Sequence, residues 1–324
     1  MTTQYTRRQL LAATAAAVAL SPRSAAAPAK PLRGAFPIMA TPYTEAKEID
    51  FEDLAAEVGF LDRCGAQGMV WPQWGSEQQH LTKEEKLRGM EVLVRAAKGK
   101  RPALVLGVQD PDPEVAFEFA EHADRLGPDA LISMPPSRAK SVDDYRSYFR
   151  TMAKITKRPF FIQTSGGAKD VVPEIDMLVE LAREFPNFGY IKAEYPPVLE
   201  RVQTLIKNRP PIKSVMCGSN GHSFTYEMRL GTDGTCPFAH SADIFAQIWE
   251  LHEAGEVRKA LDLYSKLLLI LNVEGLIAGT RQYLMKRRGV FKTTASRERD
   301  VKLSPVEIEE IEANFAMLKP YLRT

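Results

Sequence analysis

From Leu32 onward the chain alternates between two patterns of apolar and polar residues. Short, almost uninterrupted apolar runs recur as "GAFPIMATP", "AQGMVWPQW", "RPALVLGVQ", "DALISMPPS", "RPFFIQTS", "FGYIKAE", "IKSVMCGSN" and "GTDGTCPFAH". Between them lie amphipathic stretches such as "DFEDLAAEVGFLDRCG", "EVAFEFAEHADRLG", "VDDYRSYFRTMAKIT" and "PEIDMLVELAREF", with apolar residues at helical spacing and Gly or Pro near the ends. Runs without polar alternation read as strands buried on both faces, and strand–helix alternation implies a parallel sheet covered by helices. About eight such units is the count of an α/β TIM (β/α)8 barrel, here over residues 32–240. A doubly wound open sheet is the competing architecture, but it would carry a Gly-rich phosphate turn after its first strand, and "MATPYTEAKEID" is not one. After Ala239 the pattern is purely helical, through to "SPVEIEEIEANFAMLKPYL" with a Ser304-x-x-Glu307 capping box. Residues 241–324 therefore read as a C-terminal helical appendage packed on the barrel.

The first residues follow neither pattern. Arg7 and Arg8 precede an alanine-rich apolar run from Leu10 to Leu20, followed by small residues at Ala25, Ala26 and Ala27. A bilayer-spanning helix needs about 20 apolar residues, so this run is too short for stable membrane insertion and fits a secretory signal. The Thr-Arg-Arg-x-Leu-Leu order resembles a twin-arginine (Tat) signal, which carries folded proteins across the bacterial membrane. Residues 1–27 are expected to be removed, leaving a periplasmic or otherwise exported protein. The alternative is a cytosolic N-terminal helix with a chance arginine pair.

Composition narrows the picture only modestly. The 324 residues are 44% hydrophobic and 26% charged, with 43 basic against 41 acidic side chains and a net charge of +2. That suits a soluble globular protein with a large core and gives no support to nucleic-acid binding. Export changes how Cys64, Cys217 and Cys236 read: an oxidising compartment permits one disulfide, and Cys217 and Cys236 end the last two expected strands. Buried free thiols are the other reading. No CxxC or His-rich spacing points to a metal, and neither metal nor organic cofactor is expected.

The stretch "NFGYIKAEYPP" holds the candidate chemistry. It places Lys192 inside an apolar strand, where a charge is costly unless it is paired or its pKa moves. Strand alternation puts Tyr190, Lys192 and Glu194 in one direction while Ile191 and Ala193 face the helices. The bland reading is a lysine whose stem is buried and whose head reaches solvent.

Several stretches together resemble the dihydrodipicolinate synthase and N-acetylneuraminate lyase family, the pyruvate-handling class I aldolases, from about Leu32 to the C-terminus. "GAFPIMATPYTEAKEID" is similar to the family's first strand, turn and helix start. "QWGSEQQHLTKEEK" stands where the family has Gly-Thr-Thr-Gly-Glu and then Leu-Thr-x-Glu-Glu. "GYIKAE" matches its Gly-x-Lys strand, and "GVFKTTASRERDVKLSPVEIEEIE" resembles its final loop and helix. The resemblance implies that Lys192 forms a Schiff base with the keto carbon of pyruvate or another 2-oxo acid. A lysine in a dry barrel is destabilised as a cation, its neutral amine becomes a nucleophile, and the protonated imine then acts as an electron sink. The resemblance also implies a homo-oligomer, tetramer or dimer.

The departures from the family are as informative. Its proton-relay tyrosine at the end of strand five corresponds to Gln163, which orients a carbonyl or water but does not shuttle a proton as a phenol does. Its second tyrosine corresponds to Ser137, and the Thr-Thr pair that holds the substrate carboxylate corresponds to Trp74 and Gly75. Proton transfer then falls to Glu194, Tyr195, Ser137 or His240. Gly75 and Ser76 are expected to offer backbone N–H groups and a hydroxyl to the carboxylate, with Glu77 bracing the turn. Trp74 narrows the mouth, stacks on a sugar face, or simply packs. Lys169 is the nearest cation where the synthases carry an arginine, and it lacks the bidentate fork. His240, Cys236 and Gly218, at the ends of the last two strands, complete the expected substrate-binding rim, beside the Ser219-Asn220 turn. The expected function is a Schiff-base-forming aldolase or hydro-lyase acting on pyruvate or a 2-oxo or sugar-derived acid. The alternatives are 4-hydroxy-tetrahydrodipicolinate synthase itself, or a barrel that binds a small acid outside the cytoplasm without catalysis.

Overall fold

The computed structural model describes residues 30–324; the expected signal segment, residues 1–27, lies outside the described residues. Eight parallel strands are present: β1 Gly34–Ala35, β2 Gly68–Trp71, β3 Ala103–Gly107, β4 Ala130–Ser133, β5 Phe160–Gln163, β6 Tyr190–Ala193, β7 Ser214–Cys217 and β8 Gly234–Thr235. They are hydrogen-bonded in the order β1-β8-β7-β6-β5-β4-β3-β2. Ile38 forms parallel bridges to both Val70 and Phe238, which joins the β1 side to the β2 side and all but closes the ring. The fold is a TIM barrel, as the pattern of runs predicts.

The alternation of side chains along each strand produces two apolar layers. Phe36, Val70, Val105, Ile132, Phe161 and Met216 fill the barrel interior. Leu104, Leu131, Phe160, Ile162, Ile191 and Val215 point outward to the helices. Burial on both faces explains why the strands read as continuous apolar runs.

The helices between strands are α1 Phe51–Cys64, α2 Lys83–Ala97, α3 Pro113–Leu126, α4 Val142–Ile155, α5 Ile175–Glu184, α6 Val198–Lys207, α7 Phe224–Leu230 and, after β8, α8 Ala242–Glu253. Their starts are fixed locally. Asp50 accepts from the N–H groups of Glu52 and Asp53 at the head of α1, and Thr82 with Glu85 and Ser141 with Asp144 form capping boxes on α2 and α4. Gly65 and Gly127 end α1 and α3 in the left-handed region, where a Cβ would be strained.

Three further helices follow: α9 Val257–Leu276, α10 Thr280–Arg287 and α11 Pro305–Ala316, the last opened by the Ser304–Glu307 capping box. A second apolar core, including Phe224, Phe245, Trp249, Leu267, Ile311 and Phe315, binds α9 and α11 to α7 and α8. The loop after α10 is strapped back over the strand ends. Glu77 accepts from Ser296 Oγ at 2.7 Å and from the backbone N–H of Arg297 at 2.9 Å, and Arg297 grips Glu85 with two bonds of 2.7 Å. This loop and α10 bring the appendage to the C-terminal mouth of the barrel, where sites of this fold sit.

Candidate active site

The parallel register of β5 and β6 sets Gln163 directly beside Lys192. Both side chains point inward and are buried, Lys192 being only 4% exposed, while Ile191 and Ala193 belong to the outer layer. Lys192 Nζ donates to Gln163 Oε1 at 3.2 Å and lies 3.2 Å from Glu194 Oε1. The second carboxylate oxygen of Glu194 accepts from Ser165 Oγ at 2.6 Å, and Ser165 Oγ accepts from Gln163 Nε2 at 2.9 Å. Lys192, Gln163, Ser165 and Glu194 thus form a closed ring of polar contacts. A buried ammonium is tolerated because each of its neighbours is itself paired.

Two features outside the ring hold it in place. Thr164 Oγ1 accepts from the backbone N–H groups of Glu194 at 2.8 Å and Tyr195 at 2.9 Å, and so fixes the chain where β6 ends. Gly218, buried at the end of β7, makes room for the carboxylate: any Cβ there would overlap Glu194 Oε1. Its φ of −115° is outside the left-handed region, and the requirement read here is for space.

Lys192, Gln163 and Glu194 face a cavity of about 450 Å³, which also has Trp74, Gly75, Asn220, His222, Cys236, Phe238 and Arg281 in its walls. Trp74 is 49% exposed and stands at the mouth. A larger cavity, about 880 Å³, opens at the opposite end of the barrel beside Tyr190 and Ser214. Its charged walls are of both signs: Lys30 pairs with Asp129 at 3.0 Å and Arg158 with Asp124 at 3.5 Å, while Lys157 and Lys213 donate to the backbone carbonyls of Ala153 and Pro186. The cavity at Lys192 is the one with chemistry in it.

Several expected site residues stand elsewhere. Ser137 and Lys169 are exposed and outside the Lys192 cavity, because each lies on a loop that runs out past the strand end. Ser76 is fully buried with its hydroxyl spent: Oγ donates to Met39 O at 2.5 Å and accepts from Gln73 N at 3.0 Å, which fixes the turn after β2. Glu77 braces the strap loop. Tyr195 is absent from the cavity wall. His240 borders a small adjoining cavity of about 40 Å³. Its Nε2 is 3.5 Å from Glu274 Oε2, and burial pulls its pKa down to about 4, so it is neutral at ordinary pH. Cys217 and Cys236 do not pair: Cys217 packs in the outer layer and Cys236 in the interior, on opposite faces of the sheet.

The sequence does not distinguish Ser165 from its neighbours, and it does not reveal Arg281. The serine matters only because β5 and β6 are adjacent in space, and the arginine arrives from a helix remote in the chain. Among the described residues no phenol lines the cavity, and Tyr145 instead braces the loop after β5, accepting from Ala168 N at 2.8 Å and donating to Val171 O at 3.2 Å. Among the described residues no cluster of His, Cys, Asp and Glu has metal-binding geometry, and no helix is long and apolar enough to cross a membrane.

Comparison with known proteins gives the family and the fold. The model of the dihydrodipicolinate synthetase family matches residues 31–313. A 4-hydroxy-tetrahydrodipicolinate synthase of Phocaeicola vulgatus is 26% identical over 259 residues, 78% of this chain and 86% of the relative. In the same fold, the dihydrodipicolinate synthase of Rhodopseudomonas palustris superposes with a TM-score of 0.79 at 22% identity, covering 88% of this chain and 97% of the other. A sialic acid aldolase of Ruminococcus gnavus, solved as a catalytic lysine mutant, superposes with a TM-score of 0.80 at 17% identity, covering 90% and 98%.

Proposed function

Because the chain belongs to the dihydrodipicolinate synthetase family, we propose that it is a lyase in which Lys192 forms a Schiff base with pyruvate or another 2-oxo acid. The observation that carries this reading is the buried, inward Lys192 amine, paired with a carboxylate and facing a cavity. The mutated catalytic lysine of the Ruminococcus gnavus aldolase supports it.

The polar ring supplies the proton movements. In the resting pair the ammonium of Lys192 faces Glu194 Oε1 at 3.2 Å. Passing one proton to that oxygen leaves a neutral amine, whose lone pair attacks the keto carbon to give a carbinolamine. Glu194, bonded to Ser165, returns a proton to the departing hydroxyl, which leaves as water and yields the protonated imine. Electrons from a C–H or C–C bond beside the imine then flow to its nitrogen while the Glu194 carboxylate takes the proton released from that carbon or from the hydroxyl of the departing fragment. Return of a proton to carbon turns the enamine back into the imine. Hydrolysis of the imine frees the product and regenerates the amine. Gln163 holds the amine by its carbonyl oxygen and Ser165 by its amide, so its own orientation is fixed.

The acid–base group here is a carboxylate and hydroxyl, with no phenol in the cavity wall among the described residues. The cation expected for a second carboxylate at Lys169 is out of reach. Both differences support a reaction other than that of 4-hydroxy-tetrahydrodipicolinate synthase. We also read the protein as exported and as a homo-oligomer. The test of the chemistry is borohydride reduction in the presence of a panel of 2-oxo acids, read by intact mass: one covalent adduct per chain supports the reading, and none with any acid refutes it.

A further inference from the structure

Among the described residues the Lys192 cavity contains one guanidinium, that of Arg281, and the first turn of α10 delivers it there. Two contacts, each supported by Asn220, fix its position. Arg281 Nε donates to the Glu274 carboxylate, which is almost fully buried and also accepts from Asn220 Nδ2 at 2.8 Å. Asn220 Oδ1 in turn accepts from Phe238 N at 3.0 Å. The guanidinium lies over the Phe238 ring. Phe238 occupies the space next to Gly75, where any Cβ would overlap its ring.

This leaves the two Nη groups without a protein acceptor among the described residues, in a cavity wall shared with the Schiff-base lysine. The Arg281 side chain is 40% exposed, so these groups stay open to an arriving anion, while partial desolvation draws the guanidinium's pKa below its ordinary value and the Glu274 carboxylate opposes that shift. A planar fork with two free donors matches a carboxylate in two-point contact. The hydroxyl of Ser76, the side-chain donor expected for such an anion, is consumed within its own turn.

We propose that Arg281 grips the carboxylate of the bound 2-oxo acid, so that the acid end of the substrate is recognised by the C-terminal appendage and its keto end by the barrel. This rests on the reading of Lys192 as the amine that meets a 2-oxo acid. Glu274 and Asn220 act through Arg281 as positioning residues. The pairing of Glu274 with both also explains why a buried carboxylate sits behind the wall without facing the cavity.

The test is equilibrium binding of pyruvate and of its uncharged methyl ester to the Lys192→Ala protein, with and without Arg281→Met or Arg281→Lys, alongside thermal melting of each. Losing a charge-assisted bidentate contact weakens pyruvate by about 10- to 100-fold. Methyl pyruvate is unchanged by Arg281→Met, and Arg281→Lys, a charge without the fork, falls between for pyruvate. Pyruvate binding unaffected by Arg281→Met overturns the proposal, as do equal losses for acid and ester, or no pyruvate binding to the Lys192→Ala protein. Should borohydride trap nothing on the parent protein while Arg281→Met still weakens pyruvate, the Schiff-base reading fails and the anion site stands. A trapped adduct with Arg281-independent affinity shows the opposite: the Schiff base stands and the anion site fails.

Discussion

At the scale of single residues, the account turns on how Glu194 is used. It is the carboxylate nearest the amine, and its other oxygen is held by Ser165 at 2.6 Å. Glu194→Gln keeps the shape and removes the proton acceptor, so the rate of imine formation should fall by about 10²- to 10⁴-fold with little change in melting temperature, as timed borohydride quenching would measure. A loss below tenfold would mean that another base serves. Glu227, close behind β7, sets a pH dependence of stability. Burial raises its pKa from 4.5 to about 7, although Ser223 donates to it at 2.6 Å. An acid with a higher pKa in the native state holds more protons there than unfolded between the two values, so this contribution is intact below pH 4.5 and is lost as pH rises to about 7. Glu227→Gln should abolish a loss on the order of 3 kcal/mol across that window in urea titrations at several pH values. His240 acts oppositely: its pKa, pulled from 6.5 to about 4, makes its contribution disappear as pH falls between those values, in the parent and the variant alike.

At the scale of elements, the site is a product of strand register. Gln163 meets Lys192 because β5 and β6 pair in parallel at those residues, and Glu194 reaches back only because Gly218 at the end of β7 has no side chain. Gly218→Ala should therefore leave a folded barrel with a displaced carboxylate, and lower the rate of imine formation about 100-fold, read by the same quench together with circular dichroism. A variant with parental rate would show that Glu194 has room to spare. The eight strand runs, the helix caps and the position of Lys192 are legible in the sequence because each is a local pattern: period, cap residue, or a charge inside an apolar run. The loops are not. Ser76 and Ser137 carry the same hydroxyl, yet one is buried in its turn and the other is in solvent, and local pattern does not separate them. The ring partner Ser165 and the guanidinium of Arg281 are set by which strands and helices meet in space, which sequence spacing does not encode. Cys217 and Cys236 end adjacent strands and look like neighbours, and the pleat sends them to opposite faces.

At the scale of the whole molecule, barrel and appendage share one mouth. The strap loop holds Glu77 and Glu85, α10 carries Arg281 into the cavity, and a second apolar core joins α9 and α11 to α7 and α8. The proposed export belongs at this scale. Expressed with its full N-terminus, the protein should be found outside the cytoplasm as a chain starting near residue 28, with a light-scattering mass of two or more subunits, and replacing both Arg7 and Arg8 by Lys should retain it inside. An unprocessed, cytoplasmic single subunit would contradict both assignments. The central claim, that one inward amine performs the chemistry, is tested most directly by fragment sequencing of the protein after borohydride reduction with its 2-oxo acid. The account predicts a single modified residue, Lys192, and no adduct on Lys192→Ala; an adduct on a different lysine, or one that survives that substitution, would contradict it.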